Sequence, residues 1–248
     1  MGGTSTTGTA GDAKLVGGTG TRGGDAVVQG GYGNTEGGGA LLIFAGVSET
    51  STGGAISFMS GEGQATSSGM IAVRSANAGD AGATGKLVFS SGTTSSGNSG
   101  AVMVGSGLAT GGRGGVMSIS VGSGTSGVGG ELIIKSGAST HAAGGRVKVD
   151  GGSSTAGTGG AISVTAGEAT GASSTGGAIS VTAGASTGGT AGVGGSLYVA
   201  GGEGKSWTGG SIAINSGVGV DTTSGSLKIM TTNAGAAGTS GMLVFSSG

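Results

Sequence analysis

The chain has 248 residues and a formal net charge of -1, and it combines 68 glycines and 3% aromatic residues with no proline and no cysteine. Its charged residues are scattered singly, so there is no basic stripe for a phosphate backbone or an anionic lipid surface, and neither nucleic-acid nor membrane partners are expected. The missing cysteines exclude disulfides and thiolate metal sites, and the missing proline and irregular glycine spacing exclude collagen. Disorder is disfavoured because 34% of the residues are hydrophobic and only 8% are charged.

Residues 1–14, MGGTSTTGTAGDAK, lack a basic region followed by an apolar one, so no signal peptide is visible. No apolar window of about 18 residues occurs, so no membrane-spanning helix is expected.

From residue 11 onward, a pattern of glycine followed by alternating apolar and polar residues recurs sixteen times, mostly at intervals of 15 residues. The exceptions, intervals of 13, 16, 17 and 18 residues, fall in Gly/Ser/Thr-rich spacers. In chain order the apolar pairs are Ala13/Leu15, Ala26/Val28, Leu41/Ile43, Ile56/Phe58, Ile71/Val73, Leu87/Phe89, Val102/Val104, Met117/Ile119, Leu132/Ile134, Val147/Val149, Ile162/Val164, Ile179/Val181, Leu197/Val199, Ile212/Ile214, Leu227/Ile229 and Leu243/Phe245.

The clearest repeats are two copies of GGAISVTAG, at 159–167 and 176–184. Apolar residues at every second position, bounded by glycine, indicate half-buried β-strands. Strands this short must stack to bury an apolar face, so the sequence predicts an all-β fold, a parallel β-solenoid of about 16 repeats of about 15 residues. Residues 1–248 are expected to form one repeat domain without an internal boundary.

Two repeats per coil of about 30 residues, which would give a flat two-sheet core, are favoured because Phe58, Phe89 and Phe245 all fall in even-numbered repeats. The segment NAGDAGATGKLVFSSG also recurs, slightly changed, ten repeats later, which places both copies on one sheet. A one-repeat coil or a three-sided helix is the alternative.

The predicted core positions are the inward residues of the strongest repeats: Leu41, Ile43, Ile56, Phe58, Leu87, Phe89, Leu132, Ile134, Ile162, Val164, Ile179, Val181, Leu197, Val199, Ile212 and Ile214.

Large apolar residues at outward positions indicate a lateral partner surface, with scattered surface hydrophobes as the alternative. These residues are Leu42, Phe44, Met70, Met103, Ile133 and Tyr198. The terminal strands lack a polar cap, so head-to-tail stacking of copies is expected, with an axial junction at Leu15, Leu243, Val244 and Phe245.

No motif supports catalysis or a cofactor. The loop GGEGKS at Gly201–Ser206 resembles a phosphate-binding loop, but Val199 stands where its first glycine is needed and another glycine-bounded strand follows instead of a helix. The aspartates occupy different repeat positions, which disfavours a calcium ladder of the β-roll kind. His141 is the only histidine and lies in a spacer, so neither a metal site nor a Ser/His/Asp triad is expected.

Through its repeated pattern G-x-[ILV]-x-[VIF]-x-[SAG]-G the whole chain resembles the Gly/Ser/Thr-rich solenoid arrays of large surface, adhesive or fibre proteins of microbes, algae and viruses. The resemblance implies a passive scaffold that is secreted or displayed at the cell surface.

The function expected from these features is that of a structural, filament-forming or surface scaffold protein, which is not an enzyme and self-associates through uncapped solenoid ends. The alternative is a surface-binding module, either an adhesin or an ice-binding protein. Ice binding is disfavoured because a central outward column is irregular, running Lys14, Leu42, Ala72, Met103, Ile133, Ser163, Tyr198 and Lys228. An enzyme acting on polysaccharide would need clustered carboxylates, and none is apparent. O-linked sugar on the Ser/Thr-rich spacers is left open.

Overall fold

The computed structural model of the chain describes residues 10–188 and 192–247. These residues contain no helix and no β-strand. The chain divides into two units, Met1–Ser120 and Val121–Gly248. The same repeating arrangement occurs in each unit, and the expectation of a single repeat domain stays a prediction.

The prediction of an all-β parallel β-solenoid is therefore wrong. No sheet joins successive repeats in the described residues, so neither the two-sheet core nor the one-repeat coil is present there. Period-two alternation shows that side chains of an extended backbone point to opposite sides, but it does not say which backbone pairs with which. Within residues 10–188 and 192–247 the expected pairing between successive repeats is not made.

The repeat is nevertheless a regular structural unit with two parts. The first part is an extended segment of seven residues, which we define from the glycine two residues before each apolar pair to the second residue after the pair, and which contains no turn or bend. Sixteen such segments occur: 11–17, 24–30, 39–45, 54–60, 69–75, 85–91, 100–106, 115–121, 130–136, 145–151, 160–166, 177–183, 195–201, 210–216, 225–231 and 241–247.

The second part is a connecting loop between consecutive segments, and the loops vary from 6 to 11 residues in length. Each loop that is described in full has a bend or turn near its middle, for example at 34–36 in loop 31–38 and at 155–157 in loop 152–159. All changes in repeat length are therefore confined to the loops.

The backbone bonds that organise the repeat lie at the base of the loop. In ten loops, the glycine that begins the next segment donates its N–H to the carbonyl oxygen of the glycine that opens the loop, with N···O distances of 2.8–2.9 Å. We call the donor the closing glycine. Examples are Gly39 bonded to Gly31 in the first unit and Gly160 bonded to Gly152 in the second.

No buried apolar core forms among the described residues. The residues predicted to be core are between 50% and 72% exposed: Leu41, Ile43, Ile56, Phe58, Leu87, Phe89, Leu132, Ile134, Ile162, Val164, Ile179, Val181, Leu197, Val199, Ile212 and Ile214. The alternation itself is visible, because Leu41 and Ile43 are 53% and 54% exposed whereas Leu42 and Phe44 are 70% and 81% exposed. The predicted inward face is thus partly covered by the chain, and no residue of it is buried.

Candidate self-association surface

The candidate functional surface is built from the extended segments, and the closing glycine fixes where each of them begins. A Cβ added at Gly160 would lie 2.9 Å from the backbone nitrogen of Gly152, and one added at Gly39 would lie 3.0 Å from that of Gly31. Side chains at these positions would push the two ends of the loop apart and lengthen the bond between them. Glycine is the first residue of all sixteen segments, and ten of these glycines make the closing bond.

The last residue of a segment lies close to the closing glycine that begins the next segment, and we call this contact the crossing. The last residue is small in most repeats. In four repeats it is also glycine, and a Cβ there would meet the carbonyl oxygen of the closing glycine at 2.1–2.2 Å; these residues are Gly17, Gly30, Gly151 and Gly201. Other repeats carry Ala or Ser instead, and the Cβ atoms of Ala45 and Ala166 then pack beside the closing glycine. The crossing therefore has a tight glycine form and a looser form that admits a small side chain.

In several loops the third residue is of one of two kinds: a serine that forms a hydrogen bond across the bend, or a glycine where the backbone approaches closely. Where it is serine, its Oγ accepts the N–H of the residue three positions later, as between Ser154 and Gly157 at 2.9 Å and between Ser48 and Ser51 at 3.0 Å. Where it is Gly33, Gly63, Gly204 or Gly219, a Cβ would lie 2.4–2.5 Å from a carbonyl oxygen across the loop. Both forms occur in loops of 8 residues.

Between their ends the segments present two kinds of face. The third and fifth positions of a segment carry the apolar pairs, and we call them the stripe positions. The second, fourth and sixth positions face the other way and are mostly polar or small. The predicted lateral partner residues lie on this second face and are 70–91% exposed: Leu42, Phe44, Met70, Met103, Ile133 and Tyr198.

Most backbone N–H and C=O groups of the described segments form no hydrogen bond, just as most of their side chains are exposed. Among the described residues, the backbone hydrogen bonds are those of the closing glycines and two turns within loops, Ser174 to Gly171 and Gly238 to Gly235. No bond joins one segment to another there. Backbone N–H and C=O groups are strong hydrogen-bonding groups that folded proteins pair almost completely when they bury them. Apart from the N–H groups of the ten closing glycines, the described segments therefore offer unpaired backbone donors and acceptors for pairing.

The residues predicted to form the axial junction are also exposed, at 70% for Leu15, 49% for Leu243, 64% for Val244 and 78% for Phe245. They belong to the first and last segments and resemble the equivalent positions elsewhere in the chain. The predicted junction depended on the ends of a solenoid, and no solenoid is present in the described residues.

The motif that resembles a phosphate-binding loop and the single histidine both lie in or beside connecting loops. Gly201–Ser206 includes a bend over 205–207 and no helix follows it, and Gly204 occupies the same loop position as Gly33. The ring Nδ1 of His141 lies 2.8 Å from the Oγ1 of Thr140. The described residues hold no group of three or more metal-ligating side chains.

Two further polar features complete the described surface. Lys148 and Asp150 form an ion pair on the outward face of one segment, and their side chains are 62% and 60% exposed. An exposed pair of this kind contributes at most about 1 kcal/mol. A depression of about 380 Å³ lies at Arg74, Ser75, Ala76 and Asn77, and all four residues are exposed.

No family model, no curated protein and no solved structure matches the chain. No helix long and apolar enough to cross a membrane occurs within residues 10–188 and 192–247.

The sequence alone indicated the stripe positions but missed the closing glycine. The signal was present, because a glycine stands two residues before the apolar pair in all sixteen copies, whereas the interval between successive copies varies. A constant glycine beside an interval of constant length indicates a close backbone contact, and the structure places that contact at the base of the loop.

Proposed function

We propose that this protein is a structural protein that associates with further copies of itself, and that its extended segments become ordered in the assembly rather than in the single chain. The observation that carries the proposal is the set of sixteen segments with exposed apolar stripes and unpaired backbone. The route differs from stacking through solenoid ends, because the surface involved runs along the chain and not only at its two termini.

The accessible area supports association. The chain exposes 24133 Å². A folded monomer of 22.2 kDa would expose about 9400 Å² on the usual scaling of surface with mass. The excess of about 15000 Å² is several times the ~1200–2000 Å² that a standard specific interface buries in total. A single chain with this much uncovered surface lacks the burial that stabilises a folded domain.

The charge of the chain favours copies of itself over an oppositely charged partner. The net charge is -1, so identical chains repel one another little, and charged residues make up only 8% of the sequence. The stripe positions carry no charge in any segment. The apolar stripe of one copy is therefore chemically suited to the same stripe of another copy.

The test is a variant in which two stripes become polar. The change I162S, V164S, I179S and V181S removes the stripes of the identical segments 160–166 and 177–183. The matched control A161S, T165S, A178S and T182S changes the opposite face of the same segments. Sedimentation velocity over a range of concentrations measures association, and amide spectra of the closing glycines check that the loops are intact.

We expect the wild-type protein and the control to associate with rising concentration and the stripe variant to associate markedly less. Each buried aliphatic side chain contributes about 1.5–3 kcal/mol, so four removed from every copy give a large effect. A wild-type protein that stays monomeric throughout, or a stripe variant that associates as well as the control, would overturn the proposal.

A further inference from the structure

The two parts of the repeat differ in how much their lengths vary. The loops range from 6 to 11 residues, although ten of them are closed by the same bond. The segment pattern spans seven residues in all sixteen copies and is followed by glycine in fourteen of them, although no backbone bond joins one described segment to another. The part of constant length is thus the part that makes no bond to another segment within the described residues.

A constant length of seven has a geometric consequence for pairing. The fourth residue is central, with three residues on each side, so two paired segments place centre opposite centre whether they run in the same or in opposite directions. The stripe positions lie one residue before and one after the centre and are symmetric about it. An eighth residue would put the stripe positions of one half on the wrong face, because a shift of one residue reverses the side of an extended backbone.

Only a partner with segments of the same length at the same spacing can pair with many segments at once. A second copy of this chain has that property, since ten of its fifteen loops contain 8 residues and therefore repeat at intervals of 15. An unrelated protein with a flat apolar surface would impose no fixed segment length.

From these observations, and on the basis of the function proposed above, we infer that copies of the chain pair segment to segment, centre against centre, in registers that differ only by whole repeats. The partner that covers the apolar stripe is thus a second copy of this chain. The loops project beside the paired segments and are free to differ in length. No single chain closes a core in this arrangement, since the pairing lies between chains.

The test compares insertions of one residue in the two parts of the repeat. In the segment variant, one Thr is added after the central residues Ile133, Lys148, Ser163 and Ser180. In the loop variant, one Thr is added to each of the loops 122–129, 137–144, 152–159 and 167–176. Both variants add four threonines to neighbouring parts of the unit Val121–Gly248, so mass, composition and charge are matched.

We expect the loop variant to associate within about twofold of the wild-type concentration midpoint, and the segment variant to need at least about tenfold more protein. Equal association of both variants, or equal impairment of both, would overturn the fixed register while leaving the proposed self-association in place. A wild-type protein that does not associate would overturn the proposed function and the register with it.

Introduced cysteines give a second readout, since the chain has none of its own. Under mild oxidation, S163C is expected to form disulfide-linked dimers from the copies that pair in the unshifted register, because the two central residues 163 then lie opposite each other. A mixture of S163C with A156C, whose cysteine lies in a loop, is expected to give few mixed dimers. Mixed dimers as abundant as the S163C homodimers would show that the copies slide freely, and this result would contradict the inference.

Discussion

The connecting loops and the extended segments differ in how much of their structure they supply themselves. Ten of the loops close through a short-range bond, such as that from Gly160 to Gly152, which joins the first residue of the loop to the residue directly after it. The segments have exposed stripes and unpaired backbone along the whole described chain. The difference teaches that regular repetition in a sequence can specify local geometry and still leave the apolar surface of the single chain uncovered.

The largest expected effect on a loop comes from Gly151→Ala. The added Cβ would lie 2.2 Å from the carbonyl oxygen of Gly160, a distance that no relaxation of a flexible side chain can relieve. We expect closure of loop 152–159 to weaken by more than about 1 kcal/mol, because a rigid backbone contact must separate and the closing bond is lost with it. The measurement is amide exchange at Gly160.

The matched control for this substitution is Ala166→Ser, at the same position of the next segment, which already carries a Cβ. Closure of loop 167–176, read at the amide of Gly177, should be unchanged in it. If Gly151→Ala left the exchange of Gly160 unaltered, the tight form of the crossing would be refuted.

A smaller effect is expected when the closing glycine itself gains a side chain. In Gly160→Ala the added Cβ would lie 2.9 Å from the nitrogen of Gly152, whereas in Gly159→Ala it would lie 3.6 Å from the oxygen of that residue, an ordinary contact. We expect the first change to cost about 1 kcal/mol of loop closure, the value of one hydrogen bond, and the second almost nothing. Equal exchange rates in the two variants, measured at residue 160, would argue against a special role of the closing position.

The smallest effect is expected at the bend of the loop. Ser154→Ala removes the oxygen that accepts the N–H of Gly157 at 2.9 Å. Because the bond is exposed to water, we expect a loss of about 0.5 kcal/mol, read as faster exchange of the Gly157 amide. Ser153→Ala, one residue earlier, is the control, and an equal change in both variants would rule out a contribution from the Ser154 hydroxyl.

Sequence reasoning could predict the repeat but not the fold. Pairs such as Ile162 and Val164, bounded by glycine and spaced by two, indicated the repeat and the two sides of each segment, but the β-strands predicted from them are not formed in the described residues. The same pairs wrongly led to a solenoid, because period two fixes which side chains share a face and is silent on what covers that face. Phe58, Phe89 and Phe245 share even-numbered repeats, yet all three are at least 70% exposed.

The contact at the closing glycine was predictable in principle, since Gly24, Gly39, Gly54 and their equivalents stand at a constant position. The two forms of the crossing follow the residue at the last position of the segment, but the sequence pattern alone did not reveal that this position lies against the next closing glycine. The predicted lateral surface and axial junction stay predictions, as do the absence of catalysis and the extracellular or cell-surface localisation.

The most direct test of the central claim is hydrogen exchange of the whole chain as a function of protein concentration. We expect the amides within segments such as 160–166 to become protected only as copies associate, with protection and assembled mass rising together. The amides of the closing glycines should change much less, since their bonds form within one chain. Segments that are strongly protected in a monomer, or that stay unprotected in the assembled protein, would contradict the account.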